Sequence, residues 1–139
     1  MRAALDERGS VAVEVAVLAP ALIALLLLVV FAGRVAQADG EVRRAASEAA
    51  RAASLRQVPK DAVTAAEASA TANLADRGVP CRTLDTEVDT TRFTAGGSVT
   101  VTIRCTTSMR DVSLLGVPGR RTFTARSIEV IDRYRGGEP

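Results

Sequence analysis

A chain of 139 residues has room for a hydrophobic helix and one small domain, because about 60 residues is near the lower limit for a self-supporting core. Aromatic residues make up 3% of the chain and His is absent, which predicts a thin core and removes the commonest general base and metal ligand. The net charge of +2 is spread without a long basic run, so the composition does not suggest nucleic-acid binding.

The first predicted element is an apolar helix near the N-terminus, from Ser10 to Gly33. Residues 15–33 carry no charge, and as a helix they would be about 28 Å long, which matches the hydrocarbon core of a bilayer. One carboxylate, Glu14, lies about one turn inside the start of this stretch. Pro20 tends to kink such a helix but is tolerated in membrane helices.

The small residue Gly9 precedes the apolar stretch, whereas a secretory signal has its small-residue cleavage site after it. A cut between Gly9 and Ser10 would keep the apolar helix in the mature protein and create an α-amine at Ser10. An ionised carboxylate costs on the order of 3 kcal/mol at mid-membrane, so it persists where a cation meets it. The Ser10 amine of the same or a neighbouring subunit is one such cation for Glu14. The alternative is that Glu14 simply extends to the lipid headgroups.

The segment containing Gly9, Ser10 and Glu14 resembles the processing site of type IV prepilins. More closely, RGSVAVEVAVLAPALIALL resembles the N-terminus of TadE-like proteins, minor pilins or pseudopilins of tight-adherence, Flp-type pilus systems. The resemblance implies cleavage after Gly9 by a membrane aspartic peptidase, the prepilin peptidase, and a role for Glu14 in subunit registry and assembly. The implied partners are the membrane, other pilin or pseudopilin subunits and the tight-adherence assembly platform.

The helical pattern continues over residues 34–57 with a narrow apolar seam. The seam consists of small residues at heptad-like spacing: Val35, Ala38, Val42, Ala45, Ala49 and Ala52. It packs either on other helices or on the chain's own domain, and the pattern alone leaves both open. Val58 and Pro59 end this helix because the residue before proline is steered away from the α region. A second, Ala-rich helix is predicted from about Asp61 to Ala75.

After Cys81, Thr and Val replace Ala, and alternating apolar and polar residues predict three strands. The strands cover 83–90, 98–107 and 120–132. A hairpin turn is predicted at 95–97 and a looser loop at 109–119. In the third strand the alternation changes phase between Ala125 and Ile128, which predicts a β-bulge near Ser127.

The two cysteines, Cys81 and Cys105, both follow the predicted span. Outside the cytoplasm such a pair is predicted to form a disulfide, which would contribute roughly 3 kcal/mol by restricting the unfolded chain. The alternative is two unrelated buried thiols. Cys105 alternates with Val101 and Ile103, so it is predicted to face the core.

The sequence contains no convincing catalytic, cofactor-binding or metal-binding constellation. Asp85, Glu87 and Asp89 share one face of a strand, but that face is predicted to be solvated. No glycine-rich loop has the spacing of a phosphate cradle, and no cluster has metal-ligand spacing. An enzyme is therefore not expected, and no cofactor is predicted.

Together these patterns predict an α+β single-pass membrane protein. Its predicted parts are a leader peptide (1–9), a transmembrane helix (10–33), an extracytoplasmic helical region (34–77), a small β domain (78–134) and a flexible tail (135–139). The predicted function is a TadE-like minor pilin that is processed after Gly9 and acts in pilus assembly by helix packing. The alternative is an uncleaved membrane-anchored binding module that presents the β domain to a cell-envelope partner.

The N-terminus is expected in the cytoplasm and the C-terminal domain outside, in the cell membrane or a pilus. Basic residues close to the span favour the reverse orientation, since Arg2 and Arg8 precede it and Arg34, Arg43 and Arg44 follow it. The cysteine pair, the Thr-rich strands and the prepilin-like site favour the expected one.

Overall fold

The computed structural model describes residues 6–113 and 116–134, and for residues 6–12 and 113 it describes the backbone alone. Along the chain, the elements are α1 (Asp6–Ser54), α2 (Pro59–Asp76), β1 (Cys81–Asp89), β2 (Ser98–Ser108), α3 (Met109–Ser113) and β3 (Arg120–Val130). A long apolar helix, a second helix and a three-stranded antiparallel sheet confirm the predicted α+β class. The predicted flexible tail at 135–139 lies outside the described residues, as does most of the predicted leader.

The chain divides into two compact units, Met1–Arg34 and Val35–Pro139. The described part of the first unit is helical, and α1 continues through Pro20. The second unit contains the last turns of α1, both shorter helices and the sheet.

Local backbone chemistry sets both boundaries of α2. Val58 is extended, with φ −119° and ψ 137°, as expected before a proline, and Pro59 occupies the first turn of α2. At the other end of α2, Gly78 has φ 66°. Its N–H donates to the Ala75 carbonyl, and the Val79 N–H donates to the Leu74 carbonyl, both at 3.0 Å. This is a Schellman C-cap, which requires the left-handed conformation that glycine adopts without strain.

The core of the second unit is rich in alanine. The helices bury one stripe each, made of Ala38, Val42, Ala45, Ala46, Ala49, Ala50 and Ala53 on α1 and Ala62, Ala66, Ala70 and Leu74 on α2. Both stripes join one hydrophobic cluster with the inner face of the sheet, which includes Val101, Ile103 and Phe123. The apolar seam predicted on α1 therefore packs within its own domain, which decides between the two alternatives. Ala52, at the edge of that seam, is only half-buried.

The sheet has the strand order β1-β2-β3, with both pairs antiparallel. The pairing of β2 with β3 is continuous from Ser98↔Val130 to Ser108↔Arg120, so the prediction of a bulge near Ser127 is wrong. Because side chains alternate along a regular strand, Phe123 faces the core while Ile128 and Val130 lie on the outer face. They are 55% and 71% exposed. The change of phase in the alternation of apolar and polar residues along β3 therefore reflects two apolar side chains at the surface, not a bulge.

The irregularity in the sheet falls at the start of β1, between Cys81 and Thr83. An extra residue in one strand reverses which side chains face the core. Cys81, rather than Arg82, therefore shares the inner side with Cys105. The predicted disulfide joins them, with Cα atoms 5.3 Å apart.

The loop between β1 and β2 contains the predicted turn at 95–97. A Cβ on Gly97 would collide with the carbonyl oxygen of Arg92, so this position requires glycine. Gly96 donates its N–H to the Ile131 carbonyl, and Ile131 donates its N–H to the Gly97 carbonyl, at 3.0 and 2.9 Å. The turn is thereby tied to the chain that follows β3. The loop predicted at 109–119 differs from expectation because it begins with α3.

Candidate functional site

Large apolar side chains cover the first unit from Val13 to Val30, and they are between 43% and 67% exposed. Among the described residues, one helix is long and apolar enough to cross a membrane. An exposed apolar surface of this extent is far larger than a soluble monomer carries. The helix is therefore consistent with a membrane anchor or a signal sequence.

The backbone of Gly9 and Ser10 lies within α1, which begins at Asp6. Ser10 and Glu14 are one helical turn apart and share a face of the helix. If the predicted cut takes place on an extended chain, the first turn of α1 would have to unwind to expose the Gly9–Ser10 bond. Terminal turns open readily, and glycine is about 1 kcal/mol less favourable than alanine in a helix, so the sequence lowers the cost of that opening.

Glu14 is exposed on α1, where it lines a shallow concave surface with Val13, Val17 and Leu18. Among the described side chains, none forms an ion pair with it. A carboxylate with apolar neighbours is unfavourable in hydrocarbon unless a cation meets it. In a membrane, that cation has to come from the N-terminal amine, a lipid headgroup or another chain.

A comparison with known protein families matches residues 9–51 to the family described as TadE-like protein. Residues 9–51 form a TadE-like domain. This match suggests an association with the Tad pilus, and proteins of the TadE-like, pilin-type family are generally non-enzymatic. Comparisons with curated proteins and with solved structures gave no significant match.

The TadE-like domain begins at Gly9, the residue before the predicted cut, and includes Ser10 and Glu14. It continues through the apolar helix and most of the buried stripe to Arg51. Helix α2 and the sheet lie outside the matched range.

An ion pair joins the TadE-like domain to the end of α2. Glu41 Oε2 lies 3.0 Å from Arg77 Nη1, and the two side chains are 21% and 33% exposed. The contact is one of charge proximity rather than of an aligned hydrogen bond. It lies beside the buried alanines, so charge attraction and apolar packing hold the same two helices together.

The disulfide lies beyond the TadE-like domain and connects the edge strand β1 with the central strand β2. Cys105 is fully buried among Val101, Ile103 and Phe123. The described chain contains no free cysteine. The two sulfurs therefore serve as a structural cross-link rather than as reactive thiols.

The carboxylates of β1 lie on the outer, solvated face of the sheet, as predicted. Arg104 Nη1 donates to Asp85 at 3.1 Å and to Glu87 at 3.0 Å, and these hydrogen bonds raise the pKa of the guanidinium. Asp89 accepts a hydrogen bond from the Thr91 main-chain N–H at 2.9 Å and one from its hydroxyl at 2.7 Å. These bonds lower the pKa of Asp89 below its usual 3.8. Carboxylates held ionised in this way are poorly suited to donate protons.

A polar concave surface lies at the end of the sheet where β1 and β3 begin, opposite the turn at 95–97. It is lined by Arg82, Ser108, Arg110, Pro118, Gly119 and Arg120. Sequence reasoning did not single out these arginines, because they come from three segments with no spacing pattern that links them. The sheet register, which pairs Ser108 with Arg120, brings the segments together.

Proposed function

We propose that the protein is a TadE-like minor pilin or pseudopilin that is made as a precursor, is cleaved between Gly9 and Ser10, and acts in pilus assembly. The observation that carries the proposal is the family match that begins at Gly9, on a helix whose apolar side chains are exposed. In this proposal, residues 1–9 are the leader and residues 10–33 span the membrane. Residues 34–77 and the β domain at 78–134 lie outside the cytoplasm, followed by the tail at 135–139.

The mechanism rests on packing of the N-terminal helix with one polar contact that sets its register. Moving an apolar helix from lipid to a protein neighbour gains little hydrophobic free energy, so apolar packing alone specifies axial position weakly. Glu14 supplies a charge at one defined level of the helix, and cleavage supplies the α-amine of Ser10. When helices stagger, the amine of one subunit meets Glu14 of the next and forms a charge-assisted hydrogen bond.

The second unit limits which surfaces take part in assembly. The alanines of α1 from Ala38 to Ala53 are buried against the chain's own α2 and sheet. Helix-to-helix packing between subunits is therefore assigned to residues 10–33. Contacts between subunits outside the membrane are assigned to the exposed surfaces of the β domain.

The intact mass of the protein purified from its native membrane tests the cut. We expect a polypeptide that lacks Met1 to Gly9. Gly9→Leu should block processing, and Gly33→Ala is the matched control because a Cβ at Gly33 meets no atom within 4 Å. A wild-type chain that keeps the leader in cells with the peptidase would overturn the proposal in favour of the uncleaved anchored binding module.

The variant Glu14→Ala tests the register. We expect normal membrane insertion and no assembled pili, measured by shearing and electron microscopy. Glu48→Ala removes an exposed carboxylate of the same helix outside the apolar stretch and should leave pili unchanged. If Glu14→Ala also assembles normally, the carboxylate only extends to the headgroups.

The redox state of the cysteines in cells tests the orientation. Disulfides persist outside the cytoplasm, so Cys81 and Cys105 should resist maleimide labelling until a reductant is added. A chain isolated with both thiols reactive would place the β domain in the cytoplasm, which is the orientation that the basic residues near the span favour.

A further inference from the structure

We propose that Arg82, Arg110 and Arg120 form a binding site for a phosphate-type oxyanion. The three residues belong to the bulge of β1, to α3 and to the first position of β3. They line one open cavity of about 360 Å³, which is at the small end of the range for ligand pockets. This inference is independent of the proposed role in pilus assembly.

The charges around this cavity do not cancel. Arg82 forms a long salt bridge with Asp111, whose Oδ2 lies 3.8 Å from Arg82 Nε. Among the described side chains, no carboxylate forms an ion pair with Arg110 or Arg120. On the outer face of the same sheet, by contrast, the single guanidinium of Arg104 is paired with two carboxylates, those of Asp85 and Glu87. Like charges that share a cavity repel, and a bound anion relieves that repulsion.

The side chains at the cavity carry the hydrogen-bond donors that a phosphate group requires. A guanidinium presents a planar fork of N–H donors that fits two phosphate oxygens, and three forks from separate segments suit a tetrahedral anion with several oxygens. The hydroxyl-bearing Ser108 also lines the cavity and is 8% exposed. The cavity is open to solvent, which leaves room for an ester substituent on the phosphate.

The fold holds the three arginine-bearing segments together. The bulge at the start of β1 turns Arg82 away from the inner face of the sheet. The Met109 N–H donates to the Gly119 carbonyl at 3.0 Å, which fastens the start of α3 to the start of β3. Gly119 has φ 120°, a conformation that favours glycine. The anchoring of these backbones means that binding has to order side chains only, which lowers its entropic cost.

Titration of the full chain with inorganic phosphate tests the site. The chain is held in micelles of an uncharged detergent, and the Arg Nε–Hε NMR resonances are followed while sodium phosphate replaces sodium chloride at constant ionic strength. We expect saturable shifts at the three arginines. Arg110→Gln and Arg120→Gln should each weaken binding by about tenfold, since each removes charge-assisted hydrogen bonds.

The matched control is Arg126→Gln, an exposed arginine on the same strand as Arg120 that does not line this cavity. It should leave phosphate binding unchanged. The backbone amide resonances of β2 show whether each variant keeps its fold. Arg110→Gln and Arg120→Gln are measured separately, so each gives its own test of phosphate binding. Absence of saturable shifts in the wild-type chain, or an equal loss in Arg126→Gln, would overturn the proposal.

A second experiment distinguishes inorganic phosphate from the phosphate of a lipid headgroup as the bound ligand. The chain is placed in nanodiscs of phosphatidylcholine, with or without phosphatidylglycerol, in a phosphate-free buffer. Shifts at Arg110 that require phosphatidylglycerol assign the site to a headgroup phosphate. Shifts that appear only with added inorganic phosphate assign it to a soluble phosphate.

Discussion

Opening the disulfide should lower the free energy of unfolding of the second unit by about 3.5 kcal/mol. Cys81 and Cys105 are separated by 24 residues in sequence, and loop-closure entropy for a loop of about that length gives about 3.5 kcal/mol at 25 °C. A small domain has a total stability of about 5–15 kcal/mol. The cross-link thus supplies a large share of it, yet the reduced domain is expected to remain folded.

Reduction of the unchanged chain isolates this effect, because a substitution at the buried Cys105 would also alter core packing. The full chain in detergent is compared with and without a reductant by hydrogen exchange of the amides of Val101 and Ile103, in the central strand. Where exchange reports the equilibrium opening of the domain, about 3.5 kcal/mol corresponds to roughly 300-fold faster exchange. Amides of the apolar part of α1, near Leu25, should not respond.

The control is the double variant Cys81→Ala with Cys105→Ala, whose exchange should be insensitive to the reductant. A change of less than about threefold in the β2 amides of the reduced wild-type chain would refute the loop-entropy reasoning. The core would then be sufficient without its cross-link.

Three further outcomes follow from burial and charge, all measurable by unfolding of the full chain in detergent. Ala49→Leu adds volume at a site with 0% exposure and should cost about 1–3 kcal/mol by overpacking; an unchanged stability would mean that the helices are not closely packed. Phe123→Ala should cost about 3–5 kcal/mol, whereas Ile128→Ala on the outer face should stay within about 0.5 kcal/mol. The lowered pKa of Asp89 means that its hydrogen bonds to Thr91 stabilise the fold above pH 3.8 and are lost as pH falls below that value. Asp89→Asn should therefore reduce the loss of stability between pH 4 and pH 2, and an unaltered acid profile would contradict this.

The order and type of the main elements could be predicted because they depend on short-range patterns. Strand β2 was expected over 98–107 and extends from Ser98 to Ser108, since one of its faces is buried along its whole length. The first long helix is predicted to continue to residue 57, because the restriction that Pro59 places on Val58 is purely local, and α1 ends three residues earlier, at Ser54.

The error in β3 came from treating apolar residues as necessarily buried. Ile128 and Val130 lie on the outer face of a regular strand. Burial predicts apolar character much better than apolar character predicts burial, because more than half of a folded protein's surface comes from apolar atoms. The real bulge, beside Cys81, had no comparable signal, because it is defined by pairing with a strand more than twenty residues away.

For the candidate sites, local sequence was sufficient at the N-terminus. The length and hydropathy of the apolar helix, the place of Glu14 within it and the small residue before Ser10 are properties of one contiguous stretch, and the family match covers that stretch. The partner of the alanine seam, the inward turn of Cys81 and the gathering of three arginines around one cavity became visible only in the folded domain. Each depends on register and packing between distant segments, and the residues of any one segment do not specify which other segment will lie beside it.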